Sequence, residues 1–177
     1  IEGDNEICTG ESVALRLDRS YQSYLWDNGA NTSTIQADQG KTYSVTITDV
    51  VGCEGVASFE VTENLLPEPI ISGPAEICSY EVACLSVQEG FETYVWQDGT
   101  TANSISAGQT GVYSIEVSDE KGCVGTDTFD FRINAAPIPQ IQGDALLCRG
   151  DTAVLSTQNA DYVDYAWSTG ANTPTID

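Results

Sequence analysis

The sequence repeats itself every 70 residues. Tyr24-Leu25-Trp26-Asp27-Asn28-Gly29 returns as Tyr94-Val95-Trp96-Gln97-Asp98-Gly99 and as Tyr165-Ala166-Trp167-Ser168-Thr169-Gly170, and these three tryptophans are the only ones in the chain. Ile1-Glu2-Gly3 matches Ile71-Ser72-Gly73 and Ile141-Gln142-Gly143. Cys8, Cys78 and Cys148 keep the same spacing, as do Cys53 and Cys123. Trp96 to Trp167 is one residue longer, and the extra residue falls near Asp161, in a loop where an insertion costs little. A period this long is a whole small domain rather than a solenoid unit. The sequence therefore divides into repeat 1 (1–66, with its N-terminal strand trimmed), repeat 2 (67–136) and an incomplete repeat 3 (137–177).

Each full copy reads as a seven-stranded antiparallel sandwich without helix. In the first copy, Ile1 to Gly3 is the stub of an opening strand, followed by Ile7-Cys8. Val13 to Leu17 alternates as a half-buried strand, and Tyr24 to Trp26 puts both rings on one face. Asn28-Gly29 supplies the positive φ of a tight turn. Thr34 to Gln36 is short, Tyr43 to Thr48 is strong, and Ala57 to Thr62 closes the copy with Ala57, Phe59 and Val61 inward. Asp49-Val50-Val51-Gly52 has the Asp-first, Gly-last form of a type I turn. The third copy stops before the last two strands. Half a sandwich leaves its inner face uncovered, so the sequence reads as a window on a longer protein.

A tryptophan on the third strand and a tyrosine opening the strong late strand are marks of an immunoglobulin-like sandwich. Trp26, Trp96, Trp167, Tyr43 and Tyr113 are the expected core. Antibody domains place a cysteine two residues after that tyrosine. Val45 and Ile115 stand there instead, facing Leu15 and Leu85, so aliphatic packing replaces the sheet-bridging disulfide. The linkers carry Pro67-Glu68-Pro69 and Pro137-Ile138-Pro139. Proline fixes its own φ and biases the preceding residue towards extended conformations, which makes these joints short and stiff.

The 177 residues include 27 acidic and 6 basic side chains, for a formal charge of −21, with no histidine. Nothing so acidic neutralises phosphates or settles on an anionic membrane, which argues against nucleic-acid and membrane-surface partners. No apolar run is long enough to span a bilayer. No signal peptide is visible ahead of Ile1, which reads as a start removed or lying elsewhere. Six cysteines in a strand-rich chain point to an oxidising compartment. Without histidine or a Cys-x-x-Cys pair, a zinc site is not expected.

The pattern Ile77-Cys78, Val82 to Leu85, Tyr94-Val95-Trp96, Gly99, Gly111-Val112-Tyr113-Ser114, Asp119 and Gly122-Cys123 resembles the Ig-like and polycystic-kidney-disease-like (PKD-like) repeats of secreted Bacteroidota proteins. The resemblance covers the whole chain. It implies a structural stalk or filament segment of a large cell-surface adhesin, exported by the type 9 secretion system and serving surface attachment or gliding motility. It implies neighbouring repeats of the same long chain as partners and an extracellular, cell-surface location. The same modules also serve as spacers or carbohydrate-binding accessory regions of secreted polysaccharide-degrading enzymes, which is the alternative. Cys84 departs from the pattern, since Ala14 and Ala153 or Val154 stand in its place. Asp151-Thr152-Ala153 resembles the Asp-Thr/Ser-aliphatic O-glycosylation motif of the same phylum, with Thr152 as acceptor.

Cys8, Cys53, Cys78, Cys123 and Cys148 are disulfide candidates under two schemes. One set per copy suggests Cys8–Cys53 and Cys78–Cys123. Strand geometry suggests otherwise: the first cysteine of a copy lies at the end near the next module and the second at the opposite end. A strand is ~17–20 Å long, whereas bridged Cα atoms lie about 4.4–6.8 Å apart. The second scheme staples neighbouring modules through Cys8–Cys123, leaving Cys53 for a module before and Cys78 and Cys148 for modules after. Cys84 has no partner in either scheme.

No catalytic residues are expected. Asp161 with Asp164, or Glu116 with Asp119, has the form of a glycosidase acid–base pair, but neither recurs between copies, and no serine has a histidine to activate it. No cofactor is expected. Calcium is the one candidate ion, through Asp27, Asn28, Asp98 and Asp119, although no Asp-x-Asp-x-Asp run accompanies them.

Overall fold

The computed structural model describes residues 1–158 and 162–177, so the insertion near Asp161 lies outside the described residues. The described residues contain strands and turns and no helix. They fall into two units, Ile1–Ile133 and Asn134–Asp177.

The first unit holds two β-sandwiches. In the first, the strands are β1 (Glu6–Cys8), β2 (Val13–Arg16), β3 (Ser23–Trp26), β4 (Thr34–Ala37), β5 (Thr42–Thr48), β6 (Glu54–Glu60) and β7 (Thr62–Asn64). One layer is β2 paired with β4, extended by a bridge between Glu2 and Arg16. The other is β3-β5-β6, antiparallel throughout. Alternation explains the layering: Tyr43 and Val45 of β5 point inward while Thr42 and Ser44 point away. Leu15, Trp26, Ile35, Tyr43, Val45 and Val61 meet between the sheets as one apolar core.

Two features differ from the sequence reading. The sandwich is not wholly antiparallel, because β1 pairs with β7 in parallel, Cys8 opposite Asn64. The chain enters beside β2 at Glu2 and crosses over Gly3 to Asn5 to the opposite layer, where it runs alongside the last strand. The last strand also begins at Glu54 rather than Ala57, since Glu54, Gly55 and Val56 pair with Thr48, Ile47 and Thr46 directly across the turn.

The crossing needs glycine. A Cβ on Gly3 would lie 2.7 Å from Leu15 Cδ2 and 2.8 Å from the Ala14 carbonyl oxygen, and one on Gly73 would meet Leu85 Cδ2 at 2.6 Å. The repeated Ile-x-Gly at the head of each copy is thus a close backbone approach.

The second sandwich repeats the plan with β8 (Ile71–Ser72), β9 (Glu76–Cys78), β10 (Ala83–Val87), β11 (Thr93–Trp96), β12 (Ser104–Ala107), β13 (Gly111–Ser118) and β14 (Val124–Asn134). Its layers are β12-β10-β8 and β11-β13-β14-β9. Leu85, Trp96, Ile115, Val117 and Phe131 lead its separate core. In both copies the tryptophan is sealed and satisfied. Trp26 and Trp96 are 2% and 1% exposed, and their indole N–H groups donate to the carbonyls of Thr32 at 2.8 Å and Ala102 at 2.9 Å. Tyr43 and Tyr113 donate their hydroxyls to the carbonyls of Gln39 and Gln109, four residues back. These are all-β, immunoglobulin-like sandwiches in tandem.

The second unit carries β15 (Ile141–Gln142), β16 (Leu155–Thr157) and β17 (Thr175–Ile176) in one antiparallel sheet. Its described residues hold no counterpart of β5 or β6. Trp167 is therefore only half-buried, contrary to its expected place in a core, although its indole still donates to the Thr173 carbonyl at 2.8 Å. The face that β5 and β6 cover in the first copy is here an apolar hollow of about 550 Å³ lined by Ile141, Tyr165 and Trp167.

Candidate functional site

The chemistry that stands out lies where the first two sandwiches meet. Cys8 ends β1, and Cys123 immediately precedes β14. A disulfide joins them, with Cα atoms 5.5 Å apart and a sequence separation of 115. The pairing within a copy does not form. Strand register gives the reason: Cys8 sits beside Asn64, and Cys53 sits just before Glu54. The extended path between those two places is roughly 30 Å at the usual rise per residue, far beyond the reach of a disulfide.

Each cysteine is presented by a built turn. On the Cys123 side, one Asp119 carboxylate oxygen accepts the amides of Lys121 and Cys123, both at 2.9 Å. The Gly122 amide donates to the Asp119 carbonyl, and Gly122 takes a φ of +84° that suits glycine. On the Cys8 side, the Glu11 carboxylate accepts the Cys8 amide and the Glu11 amide donates back to the Cys8 carbonyl.

Polar contacts surround the bridge. Lys121 Nζ lies 3.0 Å from Glu6 Oε1 and 2.9 Å from Oε2. Asn64 Nδ2 donates to Glu6 Oε2 at 3.0 Å, and the Thr9 amide donates to the Asn64 carbonyl at 2.9 Å. The hydrogen bond from Lys121, followed by that from Asn64, holds the Glu6 carboxyl below the usual carboxylate range. The linker is clamped as well. Gln88 accepts the Ile70 amide at 3.0 Å and donates to the Glu68 carbonyl at 2.8 Å, while Asp127 accepts the Ile71 amide at 2.7 Å. Gly125 lets the Pro67 carbonyl approach so closely that any Cβ there would collide with it.

Sequence reading missed Glu6, Asn64, Gln88, Lys121, Asp127 and Gly125. Repetition hid Gly125: its counterpart Gly55 would carry a Cβ at ordinary contact distance, 3.5 Å from Ile47. Lys121 had a signal of another kind, since it is one of only 6 basic side chains and stands where the first copy has Val51.

The remaining candidates lie apart. Cys53, Cys78, Cys84 and Cys148 are free and exposed. The oxygens considered for calcium are engaged by turn amides or, for Asp27, by more distant groups. Asp27 accepts Lys41 Nζ at 3.0 Å, Asn28 the Ala30 amide, Asp98 the Thr100 amide, and Asp119 the two amides above. Burial raises the Asp27 pKa, but its bonds to Lys41 and the Ser44 amide outweigh that and leave it lowered. Among the described residues, no group of three or more Cys, Asp or Glu side chains gathers as a metal-binding set. Glu116 points outward from β13, and Asp119 is spent on its turn. Asp161 lies outside the described residues and Asp164 is exposed. Thr152 is exposed, beside an Asp151 carboxylate that accepts the Cys148 amide at 3.2 Å. No helix among the described residues is long and apolar enough to cross a membrane.

No protein-family model matches the sequence, and no curated protein matches it either. Solved structures similar to the chain include murine CEACAM1b, at 10% identity over 73% of this chain and 96% of that one, with a TM-score of 0.32. The N-terminal four Ig domains of Dscam1 isoform 6.9 align at 14% identity over 73% of this chain and 43% of that one, with a TM-score of 0.34. The SGBP-B protein of the Bacteroides ovatus mixed-linkage glucan utilization locus, solved with a mixed-linkage heptasaccharide, aligns at 12% identity over 96% and 63% of the two chains, with a TM-score of 0.27. The chain thus spans less than half the length of the Dscam1 chain and just under two thirds of SGBP-B. The fold assignment rests on the sheets and cores described above.

Proposed function

We propose that this chain is a non-enzymatic spacer segment of a secreted cell-surface protein of adhesin type, in which stapled modules set distance and direction. The observation that carries the reading is the joint. A disulfide, an ion pair and a clamped proline linker all act between two sandwiches that have separate cores. Such a joint holds two separately cored modules together and gives an array a fixed repeat. Disulfides persist in oxidising compartments, which supports an extracellular location. The resemblance to Bacteroidota surface repeats extends the proposal to type 9 export and to attachment or gliding. A glycan-binding accessory role has less support. Sugar-stacking platforms need rings open to solvent, and among the described residues Tyr80 alone is an aromatic side chain that lies mostly in solvent.

Small-angle scattering of residues 1–134 tests the proposal. The expected particle is elongated, with a maximum dimension near the sum of two sandwich lengths, and it loosens on reduction while both sandwiches persist. A compact particle under oxidising conditions overturns the reading.

A further inference from the structure

The joint has a polarity. A cysteine at the end of a Glu-Ile-Cys strand bonds a cysteine in an Asp-x-x-Gly-Cys turn. Each sandwich carries one of each, so bonding Cys8 to Cys123 leaves an unused turn cysteine, Cys53, and an unused strand cysteine, Cys78. We infer that Cys53 and Cys78 are half-sites for further staples of the same kind, each taking one more module of this type. The inference deepens the stapled-array reading above and rests on it.

The first observation is that both free cysteines keep the setting of their bonded counterparts. Asp49 Oδ1 accepts the amides of Val51 and Cys53, both at 2.9 Å, matching the distances at Asp119. Gly52 repeats the positive φ at +88°. Glu81 accepts the Cys78 amide at 2.9 Å, as Glu11 accepts that of Cys8, and its own amide returns to the Cys78 carbonyl. Glu76 occupies the place of Glu6 at the head of the strand.

The second observation is independent of the cysteines. Both places expose apolar side chains that the two sandwiches of the first unit leave uncovered. Beside Cys53, Val50 and Val51 are 84% and 79% exposed, in the positions that Glu120 and Lys121 hold at the bonded joint. Beside Cys78, Tyr80 is 98% exposed and takes a φ of +78° where the other copies have Gly10 and Gly150. A non-glycine residue in that conformation is disfavoured on its own. A module seated on this end would cover the ring and give the conformation a use.

The bonded joint also states what the partner of Cys53 should carry. Two residues before the bonded cysteines stand Glu6 and Lys121, an acid facing a base. Val51 calls for an apolar residue two before the strand cysteine that meets Cys53. Leu146, two before Cys148, shows that this sequence position occurs in apolar form. Formation of each staple removes two protons and two electrons from a pair of thiols. A protein disulfide of the oxidising compartment accepts them by exchange and is reduced to a dithiol.

The test is disulfide mapping of the full protein isolated from its source, blocked with iodoacetamide and digested without reduction. The expected result is Cys8 linked to Cys123, Cys78 linked to a turn peptide, and Cys53 linked to a strand peptide with an apolar residue two before its cysteine. Alkylated Cys53 or Cys78 beside an intact Cys8–Cys123 bridge overturns this inference and spares the array. So does linkage to glutathione, a strand-to-strand or turn-to-turn pair, or, for Cys53, a partner of the wrong side-chain class. Cys8–Cys53 or Cys78–Cys123 linkages overturn the array reading as well.

Discussion

Replacing Cys8 and Cys123 together by serine should weaken both sandwiches, although the bridge lies in neither core. Consider the first sandwich unfolded while the second stays folded. Its chain runs from Cys8 to Pro67, and both ends remain fixed to the second sandwich, one by the disulfide and the other by the linker clamped at Gln88 and Asp127. The closed loop is about 60 residues, for which the chain-entropy relation gives about 4 kcal/mol at 25 °C. With the second sandwich unfolded instead, the loop from the linker to Cys123 is again about 60 residues, and the stabilisation is again about 4 kcal/mol. The exposed Glu6–Lys121 pair adds little beside this. Hydrogen exchange read by mass spectrometry separates the two copies, because peptides spanning β5 and β13 report different cores. Loss of about 4 kcal/mol raises exchange through global opening about a thousandfold. Both peptides should show it to a similar degree. Accelerated exchange in one copy alone, or in neither, would refute the argument that each folded module acts as the anchor for the other.

Trp26→Ala should destabilise the first sandwich by about 3–5 kcal/mol, the usual cost of emptying an aromatic core site. Trp26→Phe should cost less, about 1–3 kcal/mol for leaving the Thr32 carbonyl without its donor; urea unfolding measures both. Acidification should loosen the joint. The folded Glu6 pKa is depressed, so its contribution is present above the ordinary glutamate range and is lost as pH falls through the lowered value. Exchange at β1 amides between about pH 7 and pH 3, referenced to the intrinsic rate, should show this, and Lys121→Ala should flatten the dependence.

Much of the fold is legible in the sequence because the signals are local. Tyr43-x-Val45 alternates at a two-residue period, Asn28-Gly29 and Asp49 to Gly52 specify turns, and the 70-residue repeat shows every signal more than once. The parallel β1–β7 pair was not legible, since nothing in Glu6-Ile7-Cys8 says which of two sheets it joins. The joint was half legible. Strand length already favours Cys8–Cys123 over Cys8–Cys53, but the choice needs the register that places Cys8 beside Asn64. Its polar surround depends on contacts between residues 115 apart, such as Glu6 with Lys121, where repetition carries no signal because the copies differ. Trp167 shows the limit of reading by repeat: the motif is intact, but its burial depends on strands that the described residues of the second unit do not supply.

The staple also reroutes tension. A pull applied across the first unit, from the strand ahead of Cys8 to β14 beyond Cys123, has a covalent path that crosses from one sulfur to the other. Residues 9 to 122 lie off that path. They include the linker, nearly all of the first sandwich and most of the second, and none of their backbone bonds bears the pull while the disulfide holds. Their contour, roughly 400 Å at full extension, stays hidden. Stretching the array would not draw it out, and chemical reduction would. A pair of sandwiches joined this way resists lengthening through a sulfur–sulfur bond, and the sandwiches need only keep that bond in place.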